Sequence, residues 1–113
     1  MHEYSIVSAL LDRIEAEARS RGASSVASVR VAIGGQAGLD PDLLRSAFEI
    51  ARAGTPCATA ELELREIPAV WRCRVCAGEL PVEGPRRCPA CDAPGRLVAG
   101  DEIVLERLEL EVA

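Results

Sequence analysis

Residues 71–96 read WRCRVCAGELPVEGPRRCPACDAPGR, and this stretch dictates how the rest of the chain divides. Two Cys-x-x-Cys pairs, Cys73 with Cys76 and Cys88 with Cys91, stand eleven residues apart. Two residues between cysteines let a tight turn aim both sulfurs at one ion. Two such turns on facing hairpins complete a tetrahedral site that leaves no position for water or substrate. The spacing predicts a structural Zn2+ held by Cys73, Cys76, Cys88 and Cys91. A pair of disulfides is the alternative. The amino-terminal run Met1-His2-Glu3-Tyr4-Ser5 lacks the basic residues of a secretory leader, and Asp12 and Glu15 interrupt the apolar residues that follow. The expectation is therefore a reducing, cytoplasmic setting in which thiolates bind metal.

A segment of about thirty residues cannot bury enough apolar surface to fold alone, so the metal is expected to supply its folding free energy. At 113 residues the chain has room for one compact core and one metal-stapled module. The expected division is an α+β domain made from residues 1–68 together with 102–113, and a zinc-binding module at 69–101.

Outside the module the hydrophobic periodicity reads clearly. Ile6, Val7, Leu10, Leu11, Ile14 and Ala18 recur at helical spacing, and Arg19, Arg21 and Gly22 supply the charge and the left-handed residue that end a helix. Val29, Val31 and Ile33 alternate with Ser28, Arg30 and Ala32 as a strand running up to Gly34-Gly35. Asp40-Pro41 opens a second helix whose apolar face is read as Leu43, Leu44, Ala47, Phe48 and Ala51, ending before Gly54. Leu62 and Leu64 mark a second strand that stops at Pro68. In the last strand Leu108, Leu110 and Val112 keep one parity and Ile103 and Leu105 the other. This implies a bulge near Glu106, or a strand that passes from the module into the main sheet, which is the preferred reading. The fold class expected is α+β: two helices packed on a three-stranded antiparallel β-sheet, with a small inserted zinc-ribbon-like module that carries the four paired cysteines.

Charge and composition exclude several functions. A net charge of −5 argues against a general nucleic-acid binder. The segment from Val70 to Val98 holds five arginines and three acids, a surplus that four thiolates around one Zn2+ nearly cancel. No apolar run approaches the roughly 20 residues of a membrane span. Gly34-Gly35-Gln36-Ala37-Gly38 lacks the lysine and hydroxyl residue of a phosphate-binding loop, so no NTPase activity is expected. Without His2 no Ser/His/Asp or Cys/His constellation exists, and the chain reads as a non-enzyme. Cys57 lies outside the paired motifs and reads as a small buried hydrophobe. Trp71 reads as an anchor of the module's core.

His2 is the one histidine of the chain. A lone histidine near a terminus is ordinarily an inert surface residue. Here the Met1 amine, the His2 amide nitrogen and its imidazole can close fused chelate rings around one ion. Such a nitrogen-rich set suits Ni2+ or Cu2+ better than tetrahedral Zn2+. Glu3, an acid in a first helical turn, fits helix stabilisation. Asp40 fits helix capping.

Met-His-Glu-Tyr-Ser-Ile-Val-Ser at residues 1–8, Arg-Ser-Ala-Phe-Glu at 45–49 and the paired Cys-x-x-Cys motifs together resemble the HypA/HybF nickel metallochaperones of hydrogenase maturation, over essentially the whole chain. The resemblance implies that His2, with the backbone amides of His2 and Glu3, binds Ni2+ as transferred cargo while the four cysteines hold structural zinc. Some family members have an acid near the nickel site at the position of Asp40. The resemblance also implies delivery of nickel to the large subunit of a [NiFe]-hydrogenase in cooperation with the GTPase HypB, with urease as a further recipient in some members, and a monomer or weak homodimer. Protonation of an imidazole, with a reference pKa of about 6.5, offers one release route. Two other classes compete. A zinc-ribbon interaction module without nickel would bind protein or nucleic acid, but the near-neutral module and three aromatic residues, Tyr4, Phe48 and Trp71, weigh against nucleic acid. An iron-thiolate electron carrier would be coloured, which separates it from a zinc protein.

Overall fold

In the computed structural model, residues 2–81 and 83–112 are described, with His2 described in its backbone only. The elements in chain order are α1 (His2–Ser20), β1 (Ala23–Gly34), α2 (Pro41–Ala51), β2 (Glu61–Ile67), β3 (Val70–Cys73), β4 (Gly95–Ala99) and β5 (Ile103–Val112). They separate into two compact units. One comprises the described residues of 1–32, 39–65 and 104–113, and the other residues 33–38 and 66–103.

In the first unit α1 buries Val7, Leu11, Ile14 and Ala18, a stripe of the width expected for a helix with one face on a core. Ion pairs Arg19–Glu15 and Arg21–Glu17, at 3.4 and 3.5 Å, lie on its exposed side four residues apart. Gly22 closes the helix with φ +67, a conformation that an L side chain rarely adopts. Asp40 caps α2: its Oδ1 accepts from the amides of Asp42 at 2.9 Å and Leu43 at 3.4 Å, and Pro41 takes the first helical position. The buried face of α2 is Leu44, Ala47 and Phe48. Leu43, expected on that face, is 56 % exposed, because consecutive residues on a helix point about a hundred degrees apart and the stripe through Phe48 passes through Leu44.

The residues 45–49 that carry much of the family resemblance have a structural task here. Phe48 enters the core, and the Arg45 guanidinium donates to the Leu62 carbonyl in β2 at 2.9 Å. Arg52, at the C-cap and one turn beyond Phe48, donates to the Ala60 carbonyl at 2.7 Å and lies 5.8 Å from the Phe48 ring centre. Arg45 thus fastens helix α2 to β2, and Arg52 fastens the end of the helix to the residue that leads into β2, each bond contributing about 1–2 kcal/mol for a partly buried charged donor.

The three-stranded sheet has the order β2-β1-β5, with β1 central. β1 is also the strand with the most buried residues, from Val26 to Ile33. The α+β class, the two helices and the three strands are as expected. The sheet, however, is mixed rather than wholly antiparallel. Ser24 Oγ donates to the Glu111 carbonyl and the Gly34 amide to the Glu102 carbonyl, so β5 runs against β1. Val26, Arg30 and Gly35 instead meet Pro56, Glu63 and Ile67 in rising order, so β2 runs parallel to β1. The cause is the intervening helix: a strand, a crossover helix and a return strand bring the chain back to the end where it started. Periodicity alone carries no strand direction. β5 is one continuous strand in which exposure changes parity at Glu106-Arg107.

On the exposed side of the sheet Arg65 makes a two-pronged contact with Glu106, at 2.7 and 3.1 Å, and Arg30 reaches Glu63 at 3.1 Å. Hydrogen bonding from Arg65 holds the Glu106 carboxyl below the usual glutamate range.

The second unit is built on the antiparallel hairpin of β3 and β4, which sets Trp71 opposite Leu97 and Cys73 opposite Gly95. A small cluster of Cys73, Leu80 and Cys88, with Trp71 and Ala93 against it, is its interior. A Cβ at Gly95 would come within 2.6 Å of the Leu80 Cδ2, so the glycine lets Leu80 pack closely over β4. A cluster of three buried residues is too small to hold the roughly thirty residues of the hairpin and its two cysteine turns, which is the physical argument for a metal staple.

Candidate metal centre

Each cysteine pair sits in a turn with the same wiring. The Cys73 amide donates to the Gly78 carbonyl at 2.8 Å and the Ala77 amide to the Cys73 carbonyl at 3.1 Å. Fifteen residues on, the Cys88 amide donates to Ala93 at 2.9 Å and the Asp92 amide to Cys88 at 2.8 Å. The residue after each pair is left-handed, Ala77 with φ 61 and Asp92 with φ 55. Aspartate tolerates that region because its side chain can bond locally, whereas alanine is strained there. Ala77→Gly is therefore expected to stabilise the second unit by about 0.5–1 kcal/mol, the strain relieved less the extra freedom of glycine when unfolded. Thermal unfolding followed by Trp71 fluorescence checks it, and an unchanged or lower midpoint would count against the strain argument.

These turns bring together the sulfurs of Cys73, Cys76, Cys88 and Cys91, all within 4.8 Å of one another. Cys76 Sγ and Cys88 Sγ are 3.8 Å apart. Thiolates bound at about 2.3 Å to a tetrahedral ion stand about 3.8 Å from each other, so the donor set fits such an ion. Backbone amides organise the sulfurs: Val75 and Cys76 donate to Cys73 Sγ at 3.3 and 3.4 Å, and Cys91 donates to Cys88 Sγ at 3.4 Å. Those amides, that of Cys76 first and then that of Val75, pull the Cys73 thiol down to about 7. Hydrogen bonding to Cys76, followed by burial, pushes Cys91 up to about 12. Four close sulfurs cannot all ionise without a compensating cation, and a divalent ion supplies that charge. Cys73 and Cys88 are buried; Cys76 and Cys91 are exposed.

Chemically, the closed thiolate set can hold an ion and cross-link the unit. It offers no open coordination position. Trp71 packs beside it under Arg86, whose guanidinium lies 5.0 Å from the ring centre. The indole N–H is buried with no acceptor among the described residues.

A protein-family model described as HypA, hydrogenase/urease nickel incorporation metallochaperone, matches residues 1–110. This chain belongs to the HypA family. Among curated HypA relatives, the hydrogenase maturation factor HypA of Wolinella succinogenes is 44 % identical, over 98 % of this chain and 96 % of its own. That of Chloroflexus aurantiacus is 41 % identical, over 96 % and 98 %. A solution structure of the Ni metallochaperone HypA from Helicobacter pylori superposes with a TM-score of 0.75 at 28 % identity, covering 98 % of both chains. A second HypA solution structure gives 0.80 at 29 % identity, over 100 % of this chain and 98 % of that one. The HypA family handles nickel incorporation, and this member carries a four-cysteine site able to bind metal. No helix among its described residues is long and apolar enough to cross a membrane.

The amino-terminal residues expected to bind nickel fall partly outside the described residues. Met1 and the side chain of His2 lie there, and α1 begins at His2. Glu3 is placed: its Oε2 accepts from the Asp40 amide at 3.0 Å. The structure therefore brings Glu3 and Asp40 together, through a carboxylate and a backbone amide, while Asp40 spends its own Oδ1 on the cap of α2. Sequence reasoning gave each acid a separate local role and missed this bond, since no spacing rule connects residues 37 positions apart. Cys57 is buried, with burial raising its thiol above the usual range, and it lies outside the four-sulfur cluster as expected.

Proposed function

We infer that this HypA-family chain is a cytoplasmic, non-catalytic nickel carrier. It takes up Ni2+ at its amino terminus and passes it on during maturation of a [NiFe]-hydrogenase. The observation that carries this reading is the family match from residue 1 to residue 110, which includes Met1-His2-Glu3. Nickel is the cargo. The Met1 amine, the His2 amide nitrogen and imidazole, and the Glu3 amide nitrogen are its donors, with nitrogen-rich chemistry that suits Ni2+. The bond from the Asp40 amide to Glu3 supports the reading by fastening the first turn of α1 at Glu3, whose own amide nitrogen is one of the proposed donors.

Cys73, Cys76, Cys88 and Cys91 would hold zinc, which when bound supplies a four-way cross-link. The nickel-binding domain is residues 1–68 with 102–113, and the zinc module is 69–101. The recipients are the hydrogenase large subunit and a HypB-type GTPase that assists release. The test is metal counting. Protein purified without added nickel is expected to hold one zinc per chain. After equilibrium dialysis against micromolar Ni2+ it should hold one nickel besides. Zinc displaced one for one by nickel, or no nickel retained, would refute the two-site reading.

A further inference from the structure

The hairpin of β3 and β4 has two faces, and the four-sulfur centre uses one of them. Trp71 and Cys73, two residues apart on β3, belong to the small interior with Leu80 and Cys88. The alternate residues Arg72, Arg74, Pro94 and Arg96 are exposed. The strand register sets Arg72 directly across from Arg96, and the Arg74 amide donates to the Pro94 carbonyl at 3.2 Å. On its other side Arg72 is bridged to Glu79, so one exposed row reads Glu79, Arg72, Arg96, with Arg74 in the next.

The five arginines of this segment are not employed alike. Arg87 pairs with Asp92 at 3.3 Å, and Arg86 covers the Trp71 ring. Arg72 donates to a neutral acceptor, the Ala77 carbonyl, at 3.1 Å. Among the described residues, Arg72, Arg74 and Arg96 make no ion pair. Nor are they spent on the metal centre, whose sulfurs draw their hydrogen bonds from the backbone amides of Val75, Cys76 and Cys91. Like charges directly opposite in an antiparallel pair destabilise it. Three guanidinium groups gathered on one face of a chain with net charge −5 are therefore poorly explained by the fold of the hairpin.

Guanidinium groups bind carboxylates and phosphates in two-pronged fashion. Single-stranded nucleic acid also needs aromatic rings on which bases stack, and Trp71, the aromatic residue of this unit, belongs to the opposite face. An extended acidic segment meets the requirement more closely. Residues two apart on a strand point the same way about 7 Å from each other, the same repeat that separates Arg72 from Arg74.

We propose that the outward face of the β3–β4 hairpin docks an extended acidic segment of a partner protein, with carboxylates at alternate positions held by Arg72 and Arg74 and a further one by Arg96. The same two strands carry Cys73 on their inner face, so the docking surface and the metal centre form together. The proposal does not depend on the nickel reading.

Fluorescence anisotropy of a labelled, end-blocked peptide of sequence GEVEVEG, titrated with the zinc-loaded full chain, tests it. Binding is expected, weakening steeply as salt rises from about 20 to 200 mM, and the glutamine counterpart GQVQVQG should not bind. Arg74→Gln combined with Arg96→Gln should weaken binding about tenfold or more. Arg19→Gln combined with Arg21→Gln removes the same charge from α1 and should leave it unchanged. Arg96→Gln also removes the like-charge pair, so the unfolding midpoint followed by Trp71 fluorescence should hold or rise. The proposal is overturned if GEVEVEG is not bound, if the two double variants lose affinity equally, or if a single-stranded oligonucleotide of the same charge binds more tightly than the peptide. A midpoint that falls in step with binding returns the arginines to a structural role and overturns it as well.

Discussion

Replacing His2 by alanine is expected to abolish stoichiometric nickel binding while the thiolate site keeps its metal. The argument rests on donor chemistry. An imidazole at the second residue joins the terminal amine and the amide between them into fused rings. Removing the imidazole leaves an amine and amides, which at neutral pH hold Ni2+ weakly because the amides must give up protons without an anchoring ligand. His2→Ala lies far in sequence from Cys73, so the zinc count should not move. The measurement is equilibrium dialysis with both metals counted in the same sample. Retention of one nickel per chain by His2→Ala would place the cargo elsewhere. Loss of both metals would mean that His2 supports the fold, and the proposed separation of roles would fall.

Cys88→Ser should have the second large effect: metal lost from the four-sulfur site, and the fold of residues 33–38 and 66–103 lost with it. Cys88 is one of three residues in that unit's small core and also one of its four sulfurs. Burial of those side chains contributes about 1.5–3 kcal/mol each at most, whereas a structural Zn2+ in small modules supplies about 10–16 kcal/mol. Without the ion the balance is unfavourable by a wide margin. Trp71 is the one tryptophan in the chain and packs against this core, so its emission reports the loss directly. A native-like tryptophan spectrum in metal-free Cys88→Ser would show that the unit folds without its staple. In unfolded material Cys76 and Cys91 should react with thiol reagents at once, and buried Cys57 more slowly, because it belongs to the core of the other unit.

Much of this was legible beforehand because the signals are local. The Cys-x-x-Cys turns, the Asp40-Pro41 start and the glycine after α1 each depend on a few neighbouring residues, and each is found where the spacing put it. What stayed hidden depends on residues distant in sequence. The parallel course of β2 follows from how α2 returns the chain. The Glu3–Asp40 bond needs two helix starts to meet, and the exposure of Leu43 depends on which face of α2 the sheet receives. The parity change in β5 was visible as a pattern, but its position at an open edge was not.

The sulfur cluster has an inner and an outer half. Cys73 and Cys88, the first residue of each pair, lie in the interior, while Cys76 and Cys91 face solvent. Cys73 and Cys88 would hold an ion from the interior side and Cys76 and Cys91 from the solvent side, so a chelator, an oxidant or a competing thiol would meet Cys76 and Cys91 first, and wear on the site is expected to begin at its surface half.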